Sequence, residues 1–176
     1  MLDYAHRRKP AERAFAEAFR LQAEGRFAEA ERGYRRSIAL HASAEAHTFL
    51  GWTLSFLGRL SEAIAECRRA IEIDPDFGNP YNDIGAYLIQ QGKVEDAIPW
   101  LERAKVAKRY ECAHYPHYNL GRVYELLGRF PEALREYREA LDRAREREVE
   151  YPHAAVAIQR VEAVLRRRSS STAEQD

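Results

Sequence analysis

The stretch NPYNDIGAYLIQQGKVEDAIPWLERA, residues 79–104, decides the fold. Its smallest residues stand at Gly85, Gly92, Ala97 and Ala104, which are 7, 5 and 7 positions apart with large apolar residues between them. Seven residues make two helical turns, so Ala97 and Ala104 share one face of a helix. Gly85 falls mid-way along a preceding helix, and Gly92 suits the turn between the two, because glycine tolerates positive φ and ends a helix. Small side chains on facing stripes let two antiparallel helix axes approach toward the lower end of the ~8–10 Å range. The spacing therefore predicts a closely packed helix hairpin.

The same phasing recurs through the chain. Gly25, Gly58, Gly92 and Gly128 are 33, 34 and 36 residues apart, and each is followed two residues later by Phe27, Leu60, Val94 or Phe130. Five residues after each glycine comes Ala30, Ala63, Ala97 or Ala133, and seven further on comes Ser37, Ala70, Ala104 or Ala140. Seven residues before each glycine stands Ala18, Gly51, Gly85 or Gly121. Five columns in phase over four copies mark a repeat architecture, in which each unit buries its apolar face against the next.

These columns resemble the tetratricopeptide repeat, whose pattern is W-x2-L-G-x2-Y, A-x3-F, A and a late proline. The copy at 44–77 matches best, with His47, Leu50, Gly51, Leu54, Gly58, Ala63, Cys67, Ala70 and Pro75 in the signature columns. The late proline is kept only there, its counterparts being Ala42, Arg109 and Arg145, and Cys112 and Ala113 lengthen the connection before the fourth copy. The resemblance implies an all-α fold, a right-handed α-α superhelix of four helix hairpins plus a C-terminal capping helix. The expected divisions are a lead-in at 1–10, a divergent first repeat at 11–43, repeats at 44–77, 78–111 and 114–147, a capping helix at 151–168 and a disordered tail at 169–176. Val156, Ile158, Val161, Val164 and Leu165 are the expected apolar side of the capping helix, and Pro99 is expected to bend its helix mildly.

Composition excludes several function classes. Lys plus Arg and Asp plus Glu number 28 each, so formal net charge is zero and no dominant basic face for nucleic acid or anionic lipid is implied. No apolar run approaches the roughly 18 residues of a spanning helix. Two cysteines, Cys67 and Cys112, suggest no disulfide framework, and Cys67 stands in a packing column with Tyr34, Leu101 and Tyr137. Cys112, His114 and His117 cluster in CAHYPH, but a zinc site wants about four ligands and no second cluster accompanies them. No nucleophile motif or isolated carboxylate pair stands out, so the chain is expected to be no enzyme and to need no cofactor or metal.

The resemblance also implies a binding surface, with first helices lining a concave groove. It places Phe15 and Phe19, then Glu45, Thr48, Phe49, Trp52 and Phe56 there. Asn79, Asn82, Asp83, Ala86 and Gln90 follow, then Tyr115, Tyr118, Asn119, Arg122 and Glu125. The four phenylalanines are expected chiefly to pack neighbouring helices. The peptide-binding set is Phe49, Trp52, Asn82, Tyr118, Asn119 and Arg122, in which asparagine amides can both donate to and accept from a backbone and aromatics give rigid contact area. The carboxylate grip of heat-shock-chaperone co-factors is not implied, since its Lys and Asn columns hold Phe15 and Phe19, or Thr48 and Trp52 in the other register.

A second, weaker likeness concerns YNDIGAYLIQQG, the Tyr110 region and YNLGRVYELLG, in which the asparagine before each glycine and the two-residue lengthening are similar to repeats of bacterial type IV pilus-assembly lipoproteins. Those proteins carry an export signal and a lipidated cysteine ahead of their repeats; the first fifteen residues here show neither, and a cytoplasmic location is the expectation. The functional expectation is a non-catalytic protein–protein interaction adaptor or scaffold, a monomer or weak homo-oligomer, binding a partner peptide or helix and neither nucleic acid nor membrane. The alternative is a self-assembling structural protein that oligomerises through its solenoid ends.

Overall fold

The computed structural model describes the backbone of residues 2–173 and the side chains of residues 7–168; Met1 and residues 174–176 lie outside it. Nine helices run through the described residues: α1 (Leu2–Ala23), α2 (Phe27–Leu40), α3 (Ala44–Phe56), α4 (Leu60–Ile73), α5 (Asn79–Gln90), α6 (Val94–Lys105), α7 (His114–Leu126), α8 (Phe130–Arg145) and α9 (Pro152–Ala173). Each helix packs chiefly on its chain neighbour, and the tightest pairs are α1 with α2, α3 with α4, α5 with α6 and α7 with α8. The odd-numbered helices α1, α3, α5 and α7 also touch one another along the stack, which makes them its inner, shorter arc.

Each hairpin turns in the same way. The backbone N–H of Arg26, Arg59, Lys93 and Arg129 donates to the carbonyl of Leu21, Leu54, Leu88 and Tyr124 at 2.9, 2.9, 2.9 and 2.8 Å. That six-to-one closure needs a left-handed residue just before it. Gly25, Gly58, Gly92 and Gly128 supply it, with φ of 75°, 77°, 75° and 71°. Pro99 lies inside α6, which continues unbroken to Lys105.

The small columns meet as the spacing requires. Ala30, Ala63, Ala97 and Ala133 are fully buried, as are Ala70, Ala104 and Ala140. A Cβ added to Gly85 would strike Leu101, and one added to Gly121 would strike Tyr137. The first hairpin inverts the arrangement: Ala18 takes the glycine column and Gly33 faces it from α2, where an added Cβ would stand 2.8 Å from the Ala18 Cβ.

Two further facing columns hold each hairpin together. The small Ala14 and Gly33 occupy them in the first copy. In the second, His47 Nδ1 lies 2.6 Å from Glu66 Oε2. In the third, Tyr81 and Trp100 rings are 6.3 Å apart, and in the fourth His117 Nδ1 is 2.8 Å from Glu136 Oε2. Burial works to raise the Glu66 carboxyl, but the hydrogen bond with His47 and the nearby Arg69 hold it below the usual carboxylate range. Burial of Glu136 is likewise outweighed by His117 and Lys105. His47 and His117, which occupy the same column of the repeat, are thus polar bolts between the helices of one unit.

The connection between α6 and α7 carries a clasp that periodicity did not announce. Phe77 and Arg109 form an isolated parallel bridge, in which Gly78 N–H donates to the Arg109 carbonyl at 3.0 Å and Arg109 N–H to the Asp76 carbonyl at 2.9 Å. The Arg109 guanidinium lies over the Phe77 ring at 4.0 Å and reaches Asp74 at 2.6 Å and Glu45 at 2.7 Å. One residue in the place of the late proline therefore ties three segments of two successive units. Its side chain is 46% exposed, so screening limits each ion pair. Arg109→Ala is expected to lower unfolding free energy by about 1 kcal/mol, measured by urea denaturation.

Helix α9 packs on α8, burying Ala154, Ala157 and Val161. Val156, expected on the apolar side, is 57% exposed instead. Alanine sets the contact face because α9 sits close to its neighbour, and Arg160 then reaches across to Glu125 with two hydrogen bonds of 2.7 Å. Two boundary expectations are revised. Helix α1 begins at Leu2 and runs through Pro10, so most of the expected lead-in at 1–10 is helical. Helix α9 continues to Ala173, into the stretch 169–176 expected as a disordered tail, whose last three residues lie outside the described ones.

Candidate functional site

The inner helices present residues that differ sharply in what they are free to do. Asn82 on α5 and Asn119 on α7 stand in adjacent columns of successive units, Asn119 aligning with Asp83, and are 8% and 7% exposed. Asn119 Nδ2 donates to Asn82 Oδ1 at 3.0 Å, and Arg122 Nη1 donates to Asn119 Oδ1 at 3.2 Å. At the other end, Asn82 Nδ2 points to Asp83 Oδ1 at 3.5 Å. A polar ladder thus runs from a guanidinium to a carboxyl along the inner face. The two asparagines satisfy each other in part, leaving one amide hydrogen each and spare lone pairs for anything else.

The carboxyl end of that ladder opens into a pocket of about 330 Å³. Thr48, Phe49 and Trp52 line it from α3, and Asn79, Asn82 and Asp83 from α5. Tyr110 and Cys112 from the lengthened connection and Tyr115 from α7 complete it. Burial pushes the Asp83 carboxyl up to about 7, against the small opposing effect of its Asn82 contact. Gly78 is what lets Tyr110 lie there, since a Cβ on Gly78 would collide with the Tyr110 side chain.

Trp52 lines a second hollow of about 160 Å³ with Phe19, Gln22, Ala23, Phe27 and Phe56. Phe27 and Phe56 stack at 4.6 Å, 4° from parallel. The phenylalanines divide into two groups. Phe15 and Phe49 are half-buried and edge-on to each other at 5.4 Å, whereas Phe19 and Phe56 are 48% and 55% exposed. Trp52, 44% exposed, stands between the two hollows. Larger hollows of about 500 and 540 Å³ lie beside the α8–α9 and α2–α3 connections.

Of the six residues singled out from sequence, Phe49, Trp52 and Asn82 line the 330 Å³ pocket. Asn119 and Arg122 join it only through the ladder. Tyr118 is half-buried and packs against Tyr137 and Tyr151 at 5.5 and 5.3 Å. Glu125, also a groove position, is committed to structure: it accepts from Tyr137 Oη and from Arg160. Tyr110, at the very end of the repeat 78–111, and Cys112, in the two-residue lengthening, were missed because neither falls on a groove position of an inner helix. The CAHYPH cluster does not converge, for His117 faces Glu136 and His114 lies against Tyr115 and Tyr151 at 4.3 and 4.9 Å. Among the described residues no group of three His, Cys, Asp or Glu side chains could hold a metal, and no helix is long and apolar enough to cross a membrane.

Sequence models described as tetratricopeptide repeat match residues 44–77 and 76–146, which together span more than half of the chain. The chain belongs to the tetratricopeptide repeat family. Solved structures agree on the fold. PilF of Pseudomonas aeruginosa superposes with a TM-score of 0.82 at 20% identity, over 97% of this chain and 74% of that one. MamA gives 0.69 at 20% identity, over 86% and 80%. YrrB, described as a tetratricopeptide repeat protein with an unusual peptide-binding site, gives 0.67 at 17% identity, over 85% and 74%. Tetratricopeptide repeats are protein-interaction modules, and stacked repeats of this kind offer extended concave surfaces for such contacts.

Proposed function

We propose that the chain is a non-catalytic adaptor that takes a segment of a partner protein into the groove of α1, α3, α5 and α7. The observation that carries this reading is Trp52, a large aromatic left 44% exposed on the inner arc with an opening on either side. Buried aromatic anchors dominate interface energetics because they bring wide contact area with few torsions to freeze. The ladder of Asn82, Asn119 and Arg122 continues the surface with groups that can meet a peptide backbone. The peptide-binding site named for YrrB, a protein of the same fold, adds support by likeness.

The test is a selection of displayed random peptides on the immobilised protein, followed by titration of the winners. Trp52→Ala combined with Asn82→Ala is expected to weaken them at least tenfold, about 1.4 kcal/mol, while circular dichroism stays helical. Equal affinity for the double variant and the parent would remove the groove from consideration.

A further inference from the structure

The 330 Å³ pocket has a chemical signature that the groove as a whole lacks. Its lining holds one carboxylate, Asp83, and neither lysine nor arginine. Among the described residues Asp83 has no ion pair: its polar partner is the Asn82 amide at 3.5 Å. The nearby cations are directed elsewhere. Arg122 hydrogen-bonds Asn119, and Arg109 bridges Asp74 and Glu45. The ionisable groups that feel Asp83 are Cys67 from α4, Tyr87 from α5 itself and Tyr110 from the connection, all of which its charge pushes upward and none of which is a cation. A carboxyl withdrawn into a pocket and without a countercharge is costly to keep, and such groups concentrate where a ligand completes them.

The remaining walls are aromatic. Trp52, Tyr110, Tyr115 and Phe49 surround the approach to the carboxylate. Aromatic faces attract cations through their quadrupole, tryptophan most strongly, and also cover the methylene stem of a long side chain. An acidic or phosphorylated segment would meet repulsion from Asp83 with nothing to offset it. A purely apolar side chain would bury the carboxyl further and leave it unpaired.

Resting on the groove reading above, we propose that this pocket is a receptor for one lysine or arginine of the partner segment, its charge against Asp83 and its stem among Trp52, Tyr110 and Tyr115. The adjoining hollow of Phe19, Phe27 and Phe56 shares Trp52 as a wall, so the same segment carries a large apolar residue beside the basic one. The partner chemistry is a basic–aromatic or basic–aliphatic motif.

The experiment selects displayed random dodecapeptides separately on the parent protein and on Asp83→Asn, which keeps the side-chain shape and the Asn82 contact. Parent-selected peptides are expected to share one Lys or Arg next to a large apolar residue. Peptides selected on the Asp83→Asn variant are expected to lose that basic position while keeping the apolar one. Replacing the shared Lys by norleucine in a synthetic winner should cost the parent tenfold or more in affinity and the variant less than twofold. Peptides that bind the parent through the groove with no common basic residue, or a norleucine effect equal on both proteins, overturn the cation receptor and leave the groove standing. Failure to select any peptide that Trp52→Ala weakens overturns both.

Discussion

Gly121→Ala is expected to destabilise the protein by about 2 kcal/mol, although alanine is the better helix former. In an exposed helix the exchange would gain about 1 kcal/mol. Here the new Cβ would stand 2.5 Å from Cδ1 and Cε1 of Tyr137. That ring is fully buried, and its Oη donates to Glu125 Oε2 at 2.7 Å. Glu125 is in turn held by Arg160 of α9 through two bonds of 2.7 Å. The ring cannot retreat without loosening the capping helix. Overpacking a site this constrained costs about 3 kcal/mol, which outweighs the propensity gain. Gly85→Ala meets only the branched end of Leu101, which can rotate, so its penalty is smaller. Adding Tyr137→Leu to Gly121→Ala should return part of the loss, giving a coupling of about 1 kcal/mol in a double-mutant cycle by urea denaturation. A neutral or stabilising Gly121→Ala would mean that the helices do not touch where the small columns place them.

That contact was legible from sequence because close packing forbids side-chain volume, and forbidden volume leaves a periodic trace. The columns of Gly51, Gly85 and Gly121, and of Ala63, Ala97 and Ala133, report geometry that every copy must satisfy. Even the atypical first copy obeys it, trading Ala18 for the glycine and placing Gly33 opposite. Features met once leave no such trace. Arg109 reads as a departure from the late proline, and only the fold brings Glu45, 64 residues away in sequence, against it. Asp83 reads as one groove position among many, because the absence of a neighbouring cation is a property of three elements and a connection together. The asparagines were recognised as inner-face residues, but not that Asn82 and Asn119 hydrogen-bond each other, since reach between columns depends on how closely α5 and α7 approach.

Asp83→Asn is expected to stabilise the protein at pH 8 by up to about 4 kcal/mol and to leave it almost unchanged near pH 3.5. The sign follows from linkage. The carboxyl sits at about 7 in the folded chain and at about 3.9 when unfolded. Between those values the unfolded state has released a proton that the folded state retains, so rising pH favours unfolding until about pH 7, after which the loss is constant. Asparagine carries no such proton and removes that limb. Glu66 and Glu136 act in the opposite sense: held below the usual range by His47 with Arg69 and by His117 with Lys105, they contribute stability above about pH 4.3 that is lost as pH falls through their folded values. Both proteins should therefore share the acid limb and diverge on the neutral side, a divergence that urea titrations at pH 3.5, 6 and 8 resolve. A gain from Asp83→Asn that is the same at all three would mean the carboxyl is ordinary. The expected outcome has a functional edge, because the more stable variant is the one expected to discriminate least between lysine and norleucine. A side chain that weakens the fold at neutral pH and is improved by losing its charge fits a place where binding, rather than folding, supplies the missing partner.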